Sequence, residues 1–341
     1  MDLLFPLKCI ISKKETFPSG INHSFFFVKT KKNFGICSDD GVFRYIEDDF
    51  NPITREIKCH NDKILYAFLI NDEYFVTCSR DKSMKLLRTY YFVPEPDEST
   101  KVIDHFKCEI YYKNQREGTH LETIEIYSWN NAHFETINQV ISLSNSRMAS
   151  CSDDKTIKIW NIQQPYEHIK TIECPDKVKE ICKLHEKEIL LSILGNKTML
   201  IWNLTNNECI KKIDNVICSG PNCCVELPKY EQLIVGGGNS ITAYNIEHLK
   251  FEIDFHFINK DLSDISTLMH IDEGYYVNSD HFFIGTDKGS LFLFNIKTQK
   301  LKWIEKLHHG KINCINYSFP KYYSVSSDCD RVQFTFEKEK E

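Results

Sequence analysis

Three histidines stand at one fixed distance from a polar turn. His60 precedes Asp81 by 21 residues, His133 precedes Asp154 by 21, and His308 precedes Cys329 by 21. Each is followed four residues later by isoleucine: Ile64, Ile137 and Ile312. An imidazole near a carboxylate can shuttle protons or hold a metal. The same offset three times, twice to a carboxylate, says something different. It marks a structural unit that recurs, so most His, Asp and Trp side chains belong to architecture.

Other chemistry-bearing patterns are weak. The sequence has no nucleophile elbow, phosphate loop or His-x-x-x-His metal pair. Gly236-Gly237-Gly238 ends a strand-like run and reads as a hairpin turn rather than a phosphate cradle. Fourteen cysteines are present without any Cys-x-x-Cys pair, so neither a zinc site nor any other metal or cofactor is expected. Cys37, Cys78 and Cys151 fall at equivalent places, where a small buried apolar residue is needed. So many unpatterned thiols suit a reducing, intracellular compartment, cytoplasmic or nuclear.

The unit that carries the histidines is clearest at Arg147–Ile162, two short β-runs joined by a turn at Asp154, with Trp160 six residues on. Aligned on Trp160, the copies place Ile46, Leu87, Trp160, Trp202, Tyr244, Phe294 and Thr335 in register, 41, 73, 42, 42, 50 and 41 residues apart. The long gap is one period plus an insertion at about 90–131, between the second and third repeats. A shorter extra stretch lies near 259–264. Within one copy, Val178–His185 alternates, Glu188–Leu194 is nearly all apolar, Thr198–Leu204 follows a Gly-Asn-Lys turn, and Glu208–Asp214 alternates again. That is four antiparallel strands per repeat. A lone sheet of this kind cannot cover both faces, but a ring of them can.

The segment Ser152-Asp-Asp-Lys-Thr-Ile-Lys-Ile-Trp-Asn161 resembles the core of a WD40 repeat, and the resemblance covers about residues 7–336. It implies an all-β fold: a seven-bladed β-propeller of four-stranded antiparallel blades, one domain over 1–341, with a charged tail at 337–341. The last repeat has three strands of its own, so Pro6–Ser12 is expected to pair beside Arg331–Phe336 and close the ring. The resemblance also implies a buried hydrogen-bonded set of His133, Ser150 or Ser152, Asp154 and Trp160, with His60 and Asp81 as a version lacking the Trp. With Cys329 at the turn position, His308 is expected to lose its acceptor.

The resemblance further implies a non-catalytic scaffold for protein–protein interaction within a larger intracellular assembly, and not an enzyme. The alternative is an adaptor that presents a substrate to another enzyme such as a ubiquitin ligase, and a third option is a propeller hydrolase. Neither the Phe-Arg-Arg-Gly phosphoinositide signature nor the Trp-Asp-x-Arg adaptor pattern of some members occurs here. The expected partner-binding rim holds Asp39, Arg80, Asp153, Gly195, Gly237, Asp287 and Asp328 just before each turn. Lys63, Thr136, Lys177 and Lys311 lie beside them. The partners are other proteins. A formal charge of −6 gives no footprint for nucleic acid, and no small-molecule substrate is indicated. No run of about 18 apolar residues suggests membrane insertion, and Met1–Ile11 is a poor signal peptide.

Overall fold

The computed structural model describes residues 7–27, 33–47, 54–71, 73–94, 100–103, 120–144, 146–184, 187–216, 223–246, 250–256, 263–271, 279–318 and 321–338. They form seven antiparallel sheets, one per repeat. The first strand of each sheet contacts the first strand of the next, from Ile21–Phe26 through Ile64–Leu69, Ile137–Ser142, Val178–Lys183, Cys223–Leu227 and Ile265–His270 to Ile312–Ser318, which returns to Ile21–Phe26. The protein is therefore a closed seven-bladed β-propeller, with these strands around a central channel.

The core is divided among the blade interfaces, and the sequence shows why. In the fourth blade, Ile189–Leu194 is a continuous apolar run because both of its faces are covered. Leu190 and Leu194 pack toward the third blade, beside Ala149 and Ile157. Leu191 and Ile193 point the other way, toward Leu233 and Val235 of the fifth. Strand alternation thus feeds two interfaces from one strand. Cys37, Cys78 and Cys151 sit in the corresponding strands with no exposure.

Six of the seven inner strands carry an irregularity after their first residue, as between Ile137 and Gln139 or Ile312 and Cys314. A bulge of this kind turns a side chain out of the sheet. Several of these side chains hook the next blade: Asn22 donates to Ile64 O (3.0 Å), Asn138 to Val178 O (2.7 Å), Ser266 to Ile312 O (2.7 Å) and Asn313 to Ile21 O (2.8 Å).

The ring closes through Leu7–Thr16, which pairs antiparallel with Asp330–Lys338 as the outer strand of the seventh blade. It is longer than the expected Pro6–Ser12 because Lys13–Thr16 also have partners. Glu15 pairs with the buried Arg331 (2.7 Å to Nε), and Lys14 and Thr16 both bind Asp330. The guanidinium of Arg331 also lies 3.6 Å from the centre of the Phe34 ring in the first blade, so the closing strand is tied to both ends of the ring.

Within the 90–131 stretch, His120–Trp129 is the outer strand of the second blade, paired along Met84–Pro94. The far end of Met84–Pro94 also pairs with Thr100–Ile103. Residues 95–99 and 104–119 of that stretch, 259–262 of the shorter one and 339–341 of the tail lie outside the described residues.

Candidate functional site

Polar residues form two groups, a buried set repeated within blades and a rim set at the channel. The buried set is clearest in the third blade. His133 bonds Asp154 through Nδ1 (2.9 Å) and Ser150 through Nε2 (2.7 Å), and Trp160 Nε1 donates to the same Ser150 hydroxyl (2.8 Å). Ser152 has a different duty: its hydroxyl accepts from the Asp154 N–H (3.1 Å) and donates to Glu135 O (3.3 Å). Thr156 completes the set by donating to Asp154 (2.6 Å). Burial alone would push the Asp154 carboxyl up. Hydrogen bonds from His133, Thr156 and the Phe134 N–H hold it far below the usual range instead. Burial pushes the His133 imidazole down, with Asp154 opposing.

The second blade repeats the set without the indole. His60 binds Asp81 (3.1 Å) and Thr77 (2.9 Å), and Ser83 stands where Thr156 does. Leu87 replaces the Trp. The fourth blade keeps only the other end, with Trp202 Nε1 donating to Ser192 (2.9 Å).

The seventh blade corrects the sequence expectation. His308 is buried and keeps both partners, Asp328 (3.3 Å) and Ser324 (2.8 Å). Asp328 also accepts the His309 N–H (2.7 Å), as Asp154 accepts that of Phe134 (2.9 Å). Cys329 has a left-handed backbone at φ 71°, matching Lys155 at 69° and Lys82 at 72°. The last repeat is therefore one residue out of the spacing-based register. Asp328 takes the turn position, Phe334 takes the place assigned to Thr335, and Ser327 takes the rim position assigned to Asp328. Asp328 and His308 form part of the only group of three metal-capable side chains among the described residues, with Asp330. All three are engaged in the hydrogen bonds and ion pairs just given.

This register gives a direct test. Asp328→Ala should lower stability by about 1–3 kcal/mol, the cost of stranding buried donors. Cys329→Ser should fall within about 0.5 kcal/mol of the parent, as for ordinary surface changes. Urea unfolding of both variants would show the reverse order if Cys329 held the turn role.

The rim set faces solvent. Asp39 accepts from Asn22 (2.9 Å) and from Lys63 of the next blade (2.6 Å). Asp153 accepts in the same way from Asn138 (2.8 Å) and from Lys179 (2.7 Å), with Lys177 at 3.5 Å. Arg80 reaches Asp62 at 3.7 Å. Asp287 is exposed at the matching place in the sixth blade, and its N–H donates to Asp264 O. Gly195 and Gly237 leave that place without a side chain. Thr136 contributes its carbonyl to the Asp153 N–H.

Below the rim, the channel is a cavity of about 450 Å³ reached by Lys179 and Lys311. Its one carboxylate among the lining residues is Glu180, which accepts the Cys224 N–H (3.1 Å) across the interface between the fourth and fifth blades. Burial raises its pKa from 4.5 to about 7. A carboxyl with a raised folded-state pKa contributes stability that is full below about 4.5 and lost as pH climbs through about 7. Glu180→Gln should therefore gain on the parent between pH 5 and pH 8 in urea midpoints. A gap that does not change with pH would contradict this.

Residues 125–161 match the family described as WD domain, G-beta repeat, spanning the outer strand of the second blade and three strands of the third. The chain is a seven-bladed β-propeller that carries a WD40 repeat at residues 125–161. It is similar over a short stretch to Nuclear distribution protein nudF of Aspergillus flavus, with 31% identity over 68 residues, 20% of this chain and 15% of that protein. Nuclear distribution protein nudF 1 of Talaromyces marneffei is 34% identical over 67 residues, covering 19% and 15%. The Aspergillus niger nudF is 33% identical over 70 residues, covering 20% and 16%. The propeller thus matches only about a sixth of the length of these relatives. No helix among the described residues is long and apolar enough to cross a membrane.

Proposed function

We propose that this propeller is a non-catalytic protein-interaction scaffold, a subunit of a larger intracellular assembly, and that its channel rim receives the protein partners. One observation carries the reading: Asp39 and Asp153 are set alike, each fixed by an asparagine of its own blade and by lysine from the next, Lys63 in the first case and Lys179 with Lys177 in the second. Preset charge pairs can be entered by a partner's own charges through exchange. Contacts of this kind set specificity and association rate more than affinity. In isolation the exposed pairs add little to stability, so their loss should leave the fold intact. The twelve cysteines of the described residues are free thiols, which suits an intracellular setting.

The test replaces Asp39, Asp153 and Asp287 together by Asn, leaving Asp328 in place because it serves His308. The variant should melt like the parent yet lose its co-purifying proteins at low and high salt. Full retention of every partner at both salts would remove the rim as the interface.

A further inference from the structure

Three blades carry a cation four residues after the turn aspartate position: Arg44 after Asp40, Lys85 after Asp81 and Lys158 after Asp154. In two of them a glutamate of the outer strand neutralises it. Arg44 lies 2.8 Å from Glu56, which is directly opposite in register. Lys85 lies 2.5 Å from Glu125. In the third blade the residue opposite Lys158 is Thr171, whose hydroxyl is taken up with His168 (3.0 Å). Among the described residues, the ammonium of Lys158 has only the Ala132 carbonyl (2.6 Å) and two aromatic rings, Phe134 at 5.6 Å and Trp160 at 5.9 Å. An ammonium has three donors, and one carbonyl leaves two of them for a carboxylate.

Lys158 borders a cleft of about 710 Å³ between the second and third blades, walled by Tyr127, Trp129, Trp160 and Tyr166. Tyr127 and Tyr166 lie 4.7 Å apart, and Trp129 Nε1 is satisfied by Tyr166 O (3.0 Å), so the walls are fixed. Among the described residues, five of the eight exposed large hydrophobics lie on these two blades: Ile124, Ile126, Tyr127, Phe134 and Ile169. Phe134 is 81% exposed directly beside Lys158. Concentrated apolar exposure of this kind marks an interaction surface.

We infer that this cleft docks an apolar segment of a partner protein that carries a single carboxylate, with Lys158 as its counter-ion. The charge left uncompensated sets the sign of the ligand, and the aromatic walls, with exposed Phe134 beside Lys158, set its apolar flanks. Glu167 at the edge of the cleft disfavours a polyacidic segment. The site is separate from the channel rim and does not depend on it.

The test uses the full chain and a labelled blocked peptide, acetyl-Phe-Leu-Glu-Leu-Phe-amide, with its Gln counterpart as control, read by fluorescence anisotropy. A charge-assisted contact predicts that the Glu peptide binds about tenfold tighter than the Gln peptide. Lys158→Met should erase that difference. Thr171→Glu should erase it too, because it installs a carboxylate opposite Lys158 as Glu56 stands opposite Arg44, and it should not lower the melting temperature. Competition by inorganic phosphate as strong as by free glutarate, equal binding of the two peptides, no binding of either, or an unchanged preference in Thr171→Glu would each overturn the inference.

Discussion

Deleting residues 1–16 should strip the seventh blade of its outer strand and abolish the single cooperative melt of the full chain. The deletion removes Glu15 from Arg331, which is 2% exposed, and Lys14 and Thr16 from Asp330. Breaking a buried ion pair by removing one partner costs about 3–5 kcal/mol, because the other charge stays desolvated. The edge of Asp330–Lys338 is left open as well, and an open edge invites pairing between molecules. The truncated chain should therefore melt earlier and in more than one step, and should aggregate at concentrations where the full chain stays monodisperse. Differential scanning calorimetry with light scattering reads both. An unchanged, single transition would show that the ring does not rely on this strand.

Trp160→Ala should be the most damaging single substitution in the third blade. The indole is 5% exposed and clusters with Met84 and Trp129 across the interface of the second and third blades and with Met148 of its own blade. Truncating a buried aromatic residue costs roughly 3–5 kcal/mol. Ser150 would keep His133 but lose the indole N–H. Trp160→Phe should recover most of the packing and lose only the hydrogen bond, at about 1 kcal/mol. Denaturant midpoints for the two variants check the order. Parental stability in the alanine variant would put the side chain outside the core.

Much of this architecture is visible in the chain because each strand answers to nearby residues. The four strands of the fourth blade, Val178–Lys183, Ile189–Leu194, Met199–Asn203 and Glu208–Ile213, fall where alternation and turn residues place them. The His133–Asp154–Trp160 set is legible because its members recur at fixed offsets. Fixed offsets also caused the slip in the seventh blade. Residues 308 and 328 are 20 apart rather than 21, and a count from His308 lands on Cys329. The better signal is local: Ser326 precedes Asp328 by two residues and caps its N–H (3.3 Å), as Ser152 does for Asp154 (3.1 Å). Phe334 then follows six residues later, as Trp160 follows Asp154.

Contacts between blades leave no such trace. Glu180 meets the Cys224 N–H across 44 residues, and Asn313 meets Ile21 O across 292. Each exists only once neighbouring sheets are stacked. The unneutralised Lys158 is invisible for the same reason, since the comparison with Arg44 and Lys85 needs the register of three outer strands. His120–Trp129 is hidden differently. It follows a long interruption of the period and reads as part of it, although it pairs along Met84–Pro94 like any outer strand.

A scaffold of this kind should work inside an assembly. Native size separation of an extract from its own cells, followed by detection of the 40.1 kDa chain, measures that directly. The chain should travel with other proteins well above its own mass, and the Asp39, Asp153 and Asp287 triple variant should fall back toward 40.1 kDa while still folded. A parent chain that runs at 40.1 kDa, alone, in that extract would contradict it.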